Sequence, residues 1–338
     1  MRGFLVLVSA ALAAPLAASA QSFANKDWQV VCDNTLTCRA VGYQRDGEDP
    51  RVSVLLERPA GPQASVTGIV QVANDEGSRA PAKLALMIGG KPVGTIAMDR
   101  ATNRGALSAS QVESLLKALT GTSAIGFTSG KTTWKLSGDG AASVLLKMDD
   151  VQGRIGTAGA IARRGTLGDD NVRLPQAPPT LRAVRILPSL PGDAALAERI
   201  VAMIPHSDDC VLLDNTDARS GSEAPRLWHL DANRVLVTTA CWRAAYNSGD
   251  GYWIANLKPP FAPRVITFNG TNFDEATSTL SSEQKGRGMG DCASSDSWTW
   301  NGFAFEPSAS SSTGMCRAIA LGGAWNLPSL VTRVIPAN

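Results

Sequence analysis

Two histidines, His206 and His229, are the only imidazoles in 338 residues, so acid–base chemistry at neutral pH has very few sources here. His206-Ser207-Asp208-Asp209 places a base, a hydroxyl and two carboxylates side by side, but nucleophilic triads are assembled in space rather than along the chain. No G-x-S-x-G elbow accompanies them. The bland reading makes His206 part of a polar loop after a helix and His229 a strand residue. A hydrolase would have to use one of them, or paired carboxylates such as Asp208, Asp209 and Asp291, whose separation decides between retaining and inverting glycoside chemistry. The oxygens of Asp208, Asp209, Asp214 and Asp217 could gather around a hard cation, yet the loop lacks the D-x-[DN]-x-[DN]-G pattern and reads as a solvated turn.

The most specified stretch is Lys285–Cys316, KGRGMGDCASSDSWTWNGFAFEPSASSSTGMC. Its glycines do not follow the phosphate-loop pattern G-x-x-x-x-G-K-[ST] and no strand-to-helix context surrounds them. They suit positive φ or close packing, with Arg287 either paired to Asp291 or forming an anion seat with backbone amides. Asn301-Gly302 predicts a two-residue type I′ turn, which sets Trp300 opposite Phe303 and Trp298 opposite Phe305. Four rings then share one face, as a core or as a platform for a sugar or peptide. Arg287, Asp291, Trp298 and Trp300 are the ligand-binding candidates; the sequence offers no catalytic set, cofactor motif or metal centre beyond the weak candidates above.

These residues need elements to hold them. The first twenty residues combine Arg2, an apolar run from Phe4 to about Leu16, and Ala18-Ser19-Ala20, the plan of a secretory signal peptide cleaved before Gln21. The run is shorter than the roughly 20 residues of a spanning helix and contains Pro15, and no later segment is apolar for long enough to span a bilayer. Six cysteines follow, Cys32, Cys38, Cys210, Cys241, Cys292 and Cys316, an even number in a chain expected to leave the cytosol. Proximity favours pairing them as neighbours, although six cysteines allow 15 connectivities. Zinc would need closer cysteine pairs and clustered histidines. Without Arg2, 31 basic residues face 30 acidic ones, scattered among each other, which argues against a nucleic-acid partner.

The expected fold is an α+β N-terminal domain over 21–173, a Pro-rich linker over 174–192 and a mainly-β C-terminal domain over 193–338, with antiparallel strands and short helices. In the first part, Trp28–Cys32 and Thr37–Tyr43 read as a hairpin stapled across Asp33-Asn34. Strands follow at 52–57, 66–72, 84–88 and 93–98, the last two joined by Gly89-Gly90-Lys91-Pro92, a loop longer than two residues. Ser110 and Glu113 form a capping box for a helix with Val112, Leu115, Leu116 and Leu119 on one stripe, closed at Gly121. Strands at 124–128 and 132–136 and a helix over 141–151 complete it. Pro175, Pro178, Pro179, Pro188 and Pro191 make 174–192 a semi-rigid extended connection. Asp193 then caps a helix stopped by Pro205. Short strands from Cys210 onward, at 210–213, 226–230, 235–242, 252–257, 264–268, 298–300, 303–305 and 330–335, predict an antiparallel meander in a barrel, a sandwich or propeller-like blades.

The residues NKDW28QVVC32DN, TC38RA and Gly42-Tyr43, together with K285GRG, GDC292, W298TW300NGF and C316R, resemble an exported proteobacterial family catalogued as domain of unknown function 1176. The resemblance runs over most of the chain after the leader. In the stapled hairpin and the capped helix the N-terminal half is also similar to invasion-associated locus B proteins. It implies a periplasmic or secreted location in a Gram-negative bacterium and transfers no catalytic residue. The leading expectation is a non-catalytic binding or interaction module for an envelope protein or ligand. A periplasmic hydrolase of envelope glycan or peptide, and a structural or stress-protective exported protein, are the alternatives.

Overall fold

The computed structural model describes residues 21–73, 81–213 and 223–337. The expected leader, Asp214 and Asp217 lie outside the described residues. Mostly antiparallel sheets with three short α-helices make up the architecture of the described residues.

The first sheet has six strands in chain order: Gln21–Asn25, Trp28–Cys32, Cys38–Tyr43, Val52–Arg58, Thr67–Val72 and Arg104–Ala106. Cys32 and Cys38 sit directly opposite each other and are disulfide-bonded, so the staple fixes the register of the hairpin. A strand that the sequence reading omits, Gln21–Asn25, pairs along Trp28–Cys32. A four-stranded sheet, ordered Thr132–Leu136, Ile125–Ser129, Lys83–Ile88 and Lys91–Ala97, shares one core with the first sheet and helices α1 (Ala109–Leu119) and α2 (Ala141–Val151). Trp28, Leu56, Leu84, Leu115 and Val144 are among its fully buried residues.

Two local expectations are corrected. The hairpin at Gly89-Gly90 is a two-residue turn, with both glycines at positive φ and Ile88 facing Lys91. Pro92 fits inside the strand because that strand is a sheet edge carrying a bulge, where a missing N–H leaves no ladder bond empty. The capping box of α1 is Ser108 with Gln111, not Ser110 with Glu113. Ser108 Oγ accepts from the Gln111 amide while the Gln111 side chain accepts from the Ser108 amide.

The remaining strands form two antiparallel meanders. One runs Arg226–His229, Arg234–Arg243, Ser248–Asn256 and Arg264–Gly270; the other runs Asn272–Asp274, Thr279–Lys285, Ala293–Trp300, Phe305–Ser312 and Leu327–Val331. They share a core of Trp228, Leu236, Tyr252, Phe273, Leu280, Trp300 and Phe305. The serine-rich strands of the second meander had no apolar alternation to announce them; pairing to a neighbour, not intrinsic preference, makes them strands. Cys210–Leu213 is a turn, because the disulfide to Cys241 and the Leu212 amide bonded to the Cys241 carbonyl tether it to the end of a strand. Helix α3 (Asp193–Val201) follows Gly192, whose positive φ serves as the N-cap; Asp193 is the first helical residue and makes no cap bond.

Several contacts link the proline segment and the first sheet to the C-terminal part of the chain. Thr180–Arg182 within it pairs in parallel with Arg333–Ile335, and the Val184 amide bonds to the Trp300 carbonyl. Ile319, Ala324, Trp325 and Leu327 form one buried cluster with Val31, Val41 and Tyr43 of the first sheet. Trp325 donates its indole N–H to Ser53 Oγ at 2.7 Å, and the guanidinium of Arg104 lies 5.0 Å from the Trp325 ring. Residues 313–327 are thus a strap from the second half of the chain laid over the outer face of the first sheet.

Candidate functional site

The glycine turn after Lys285 is built against the Cys292–Cys316 disulfide. A Cβ on Gly286 would stand 2.6 Å from Cys292 Sγ and 3.0 Å from Cys316 Sγ, so the turn can approach the sulfurs only as glycine. Gly290 has φ +69°, the left-handed conformation that lets its amide reach back to the Arg287 carbonyl at 2.9 Å. Between them Arg287 and Asp291 meet in a two-pronged ion pair, Nε to Oδ1 at 2.6 Å and Nη2 to Oδ2 at 2.6 Å. Asp291 Oδ2 also accepts the Ala318 amide at 2.5 Å, tying the turn to the strap.

Burial pushes the Asp291 carboxyl up, but the bonds from Arg287 and Ala318 and the guanidinium charge outweigh it and hold it below the ordinary carboxylate range. The guanidinium is correspondingly raised by its bonds to Asp291. Of the two sequence readings of Arg287, the carboxylate contact is the one formed. Asp291, Cys292 and Cys316 lie within 4.8 Å of one another, yet both sulfurs are spent in the disulfide, which removes them as metal ligands.

The strap is anchored beside this turn. Arg317 pairs with Asp27 at 2.9 Å and reaches Asp46 at 3.4 Å, while its carbonyl accepts from Gln44. Tyr43, whose hydroxyl burial pushes well up, accepts the Met315 amide at 3.0 Å. On the outer side, the Tyr246 ring lies against Gly288, and the Gly322 amide donates to the Gly290 carbonyl at 2.7 Å. Asn247 bonds the backbone of Lys285 in both directions. Three adjoining loops therefore carry exposed apolar side chains: Tyr246 at 45 %, Met289 at 60 % and Leu321 at 84 % exposure. No residue of this trio except Met289 falls in the stretch singled out from the sequence, because sequence distance hides loops that meet in space.

The aromatic hairpin is different from the expected one. Trp300 faces Phe305 and Trp298 faces Pro307, so the loop is Asn301–Ala304 and not a two-residue turn. Asn301 Oδ1 captures the amides of Phe303 and Ala304, which closes a wider turn with Gly302 at φ +93°. Trp300 is fully buried, Phe305 is buried and Trp298 packs partly buried on the same core. Phe303, 81 % exposed, stands alone at the tip. Arg234 holds the tip by donating to the carbonyls of Gly302 and Phe303, with its guanidinium 4.8 Å from the Trp300 ring.

The two histidines are not brought together with Asp208 and Asp209 in one site. His229 is buried in its strand with Nε2 2.8 Å from Asp193 Oδ1, and Asp193 Oδ2 accepts the Leu190 amide. This pair pins the start of α3 to the sheet. His206 lies on an exposed loop with Nε2 3.4 Å from Asp208 Oδ1, and the amide of Asp209 bonds Ser207. A polar cleft of about 370 Å³ that the sequence reading missed contains Glu223, Arg226 and Asp250. Burial, and after it the Glu223 charge, push the Asp250 carboxyl up against the lowering influence of Arg226 and Arg243.

Residues 22–332 match the family model described as "Protein of unknown function (DUF1176)". "Uncharacterized protein YpfG" of Escherichia coli (strain K12) is 28% identical over 339 residues, covering 90% of this chain and 91% of that protein. No solved structure matches the chain. With a family model spanning nearly its whole length, this chain belongs to the DUF1176 family of proteins of unknown function.

Proposed function

We propose that this protein is an exported binding or interaction module of the Gram-negative cell envelope, working without catalysis through the loop surface of Tyr246, Met289 and Leu321. The observation that carries the reading is that these exposed apolar side chains stand on backbones fixed by a disulfide, an ion pair and cross-loop hydrogen bonds. A surface ordered before contact loses less entropy on association than a mobile one. Three disulfides, no free cysteine among the described residues, and a leader-like N-terminus support export to an oxidising compartment. No helix among the described residues is long and apolar enough to cross a membrane. The division into parts 21–173 and 193–338 belongs to this reading as a division of sheets, with the strap joining them.

The decisive experiment replaces Tyr246, Met289 and Leu321 together by serine and compares captured proteins from envelope extracts with those of wild type. Loss of a specific partner with unchanged thermal stability is expected. A stable variant that retains every partner removes this surface from consideration.

The hydrolase reading has one observation of its own, the raised carboxyl of Asp250 beside Glu223 in a polar cleft, a pattern suited to a general acid. Product release from purified envelope glycan or peptide that disappears in both Asp250→Asn and Glu223→Gln would favour it. Absence of release by the wild type would end it.

A further inference from the structure

Beneath the first sheet lies a second cleft, with a volume of about 320 Å³, at the lower end of small-ligand sites. Its inner end is cationic. Arg58, the last residue of its strand, is buried; Nε donates to the Ala64 carbonyl at 3.0 Å, but Nη1 has no hydrogen-bond partner among the described residues. The nearest carboxylate oxygen, Asp149 Oδ1, stands 3.7 Å away, outside hydrogen-bond range. Asp149 has turned its other oxygen to the amides of Ile161 and Ala162, at 2.7 and 2.8 Å.

A second guanidinium, Arg154, is fully buried next to the first. It donates to Gln152 and to the Gly61 carbonyl, and its Nη1 is also without a partner. Two buried guanidiniums thus face one buried carboxylate. Burial, then the Arg154 charge, push Arg58 down to about 10 against the opposing charges of Asp149 and Asp169. Arg164 adds a third guanidinium at the cleft wall, held by the Ala160 carbonyl. From this end the cleft runs between Leu107, Val112, Leu116 and Ile161. The exposed carboxylate of Glu113 also lines it, which favours a head carrying a single negative charge over a multiply charged one.

We propose that this cleft binds an amphiphile with an anionic head and a medium-length apolar chain, the head at the cleft end lined by Arg58 and Arg164 and the chain along Leu107, Val112, Leu116 and Ile161. A head anion would add negative charge beside guanidiniums whose Nη1 atoms lack hydrogen-bond partners among the described residues, Arg58 Nη1 having only its 3.7 Å ion-pair contact with Asp149 Oδ1, and the chain would cover apolar wall in the same step. The site is independent of the loop surface proposed above and stands or falls separately from it.

The full-length mature protein is titrated calorimetrically with decanoate, decyl phosphate and neutral decanol. Saturable binding of at least one anion is expected, with decanol about tenfold weaker or more, the loss associated with one charge-assisted hydrogen bond. Arg58 also bonds the backbone, so its replacement could unfold the chain; Gly159→Leu is the cleaner variant. An ideal Cβ at Gly159, which lines the cleft, sits 3.7 Å from both Arg58 Nη2 and Arg154 Nη1, in ordinary contact, so a larger side chain there would fill space at the arginine end of the cleft. Gly159→Leu should abolish binding while keeping the melting temperature, and Arg164→Ala should weaken it severalfold. Equal binding of decanol, no saturable binding of either anion, or undiminished binding by a folded Gly159→Leu variant would each overturn the proposal.

Discussion

Trp300 and Phe303 make the sharpest test of how the aromatic hairpin is built. A two-residue turn at Asn301-Gly302 would pair these rings as equals, whereas the wider loop buries Trp300 completely and leaves Phe303 81 % exposed. The Trp300 ring contacts Phe305 at 5.5 Å and lies under the Arg234 guanidinium. Replacing a fully buried Trp by Ala costs about 3–5 kcal/mol, and loss of the half-exposed cation contact adds about 0.5–1 kcal/mol. Trp300→Phe keeps a ring against Phe305 and removes an indole N–H that has no hydrogen-bond partner among the described residues, so it should cost only about 1–2 kcal/mol. Phe303→Ala should stay within about 0.5 kcal/mol, because Arg234 holds the tip through backbone carbonyls that this change leaves in place. Urea unfolding followed by circular dichroism reads all three. With a slope of about 2–3 kcal/mol/M, the Trp300→Ala midpoint should fall by about 1–3 M while that of Phe303→Ala barely moves. Equal losses in the two alanine variants would refute the observed register and restore the two-residue turn.

Asp291 gives a pH prediction. Its folded carboxyl sits below the ordinary value while the unfolded one titrates near about 3.9, so its contribution is present above that pH and is lost as pH falls through the folded value. The advantage of wild type over Asp291→Asn, about 1–2 kcal/mol because Arg287 is 42 % exposed and partly screened, should hold from about pH 5 to 8 and vanish in strong acid. An advantage independent of pH would show that the charge is not what matters. Gly286→Ala should lower stability by about 1–3 kcal/mol through collision with the disulfide sulfurs, while Gly288→Ala, whose Cβ meets the Tyr246 ring at an ordinary 3.5 Å, should not; matched melting curves for the two would contradict the packing.

Local chemistry was readable wherever a signal and its partner lie close in sequence. The stapled hairpin, the stripe of α1 and the span of α2 connect residues within a few turns of chain, and each disulfide joins cysteines that are consecutive in the sequence. Errors of a few residues arose where two local solutions compete. Ser108 and Ser110 both precede a suitable N3 partner, and the one that lets Gln111 reach back while its stem stays buried prevailed. At Asn301 the side chain captured two amides, so the turn widened beyond what the Asn-Gly pair alone suggests. Serine-rich strands were invisible because their conformation is imposed by pairing to neighbouring strands and not by an apolar alternation of their own.

The binding candidates show the same limit. Arg287 and Asp291 were recognisable as a pair four residues apart, and the hairpin rings as core or platform; only packing showed the first closed on itself and the second mostly core. Tyr246, Met289 and Leu321 come from loops more than thirty residues apart, and Arg58, Arg154 and Arg164 from a strand end and a later loop, so neither set has a sequence signature. What the sequence determined by itself is what short-range sterics and alternation encode: β-rich character, short capped helices, an oxidised set of cysteines, a leader-like start and the absence of familiar catalytic motifs. The tertiary structure decided which polar groups are paired and which apolar ones stay exposed, because both depend on strands and loops brought together across the chain. It also laid the strap of Ile319, Ala324, Trp325 and Leu327 in one buried cluster with Val31, Val41 and Tyr43 of the first sheet.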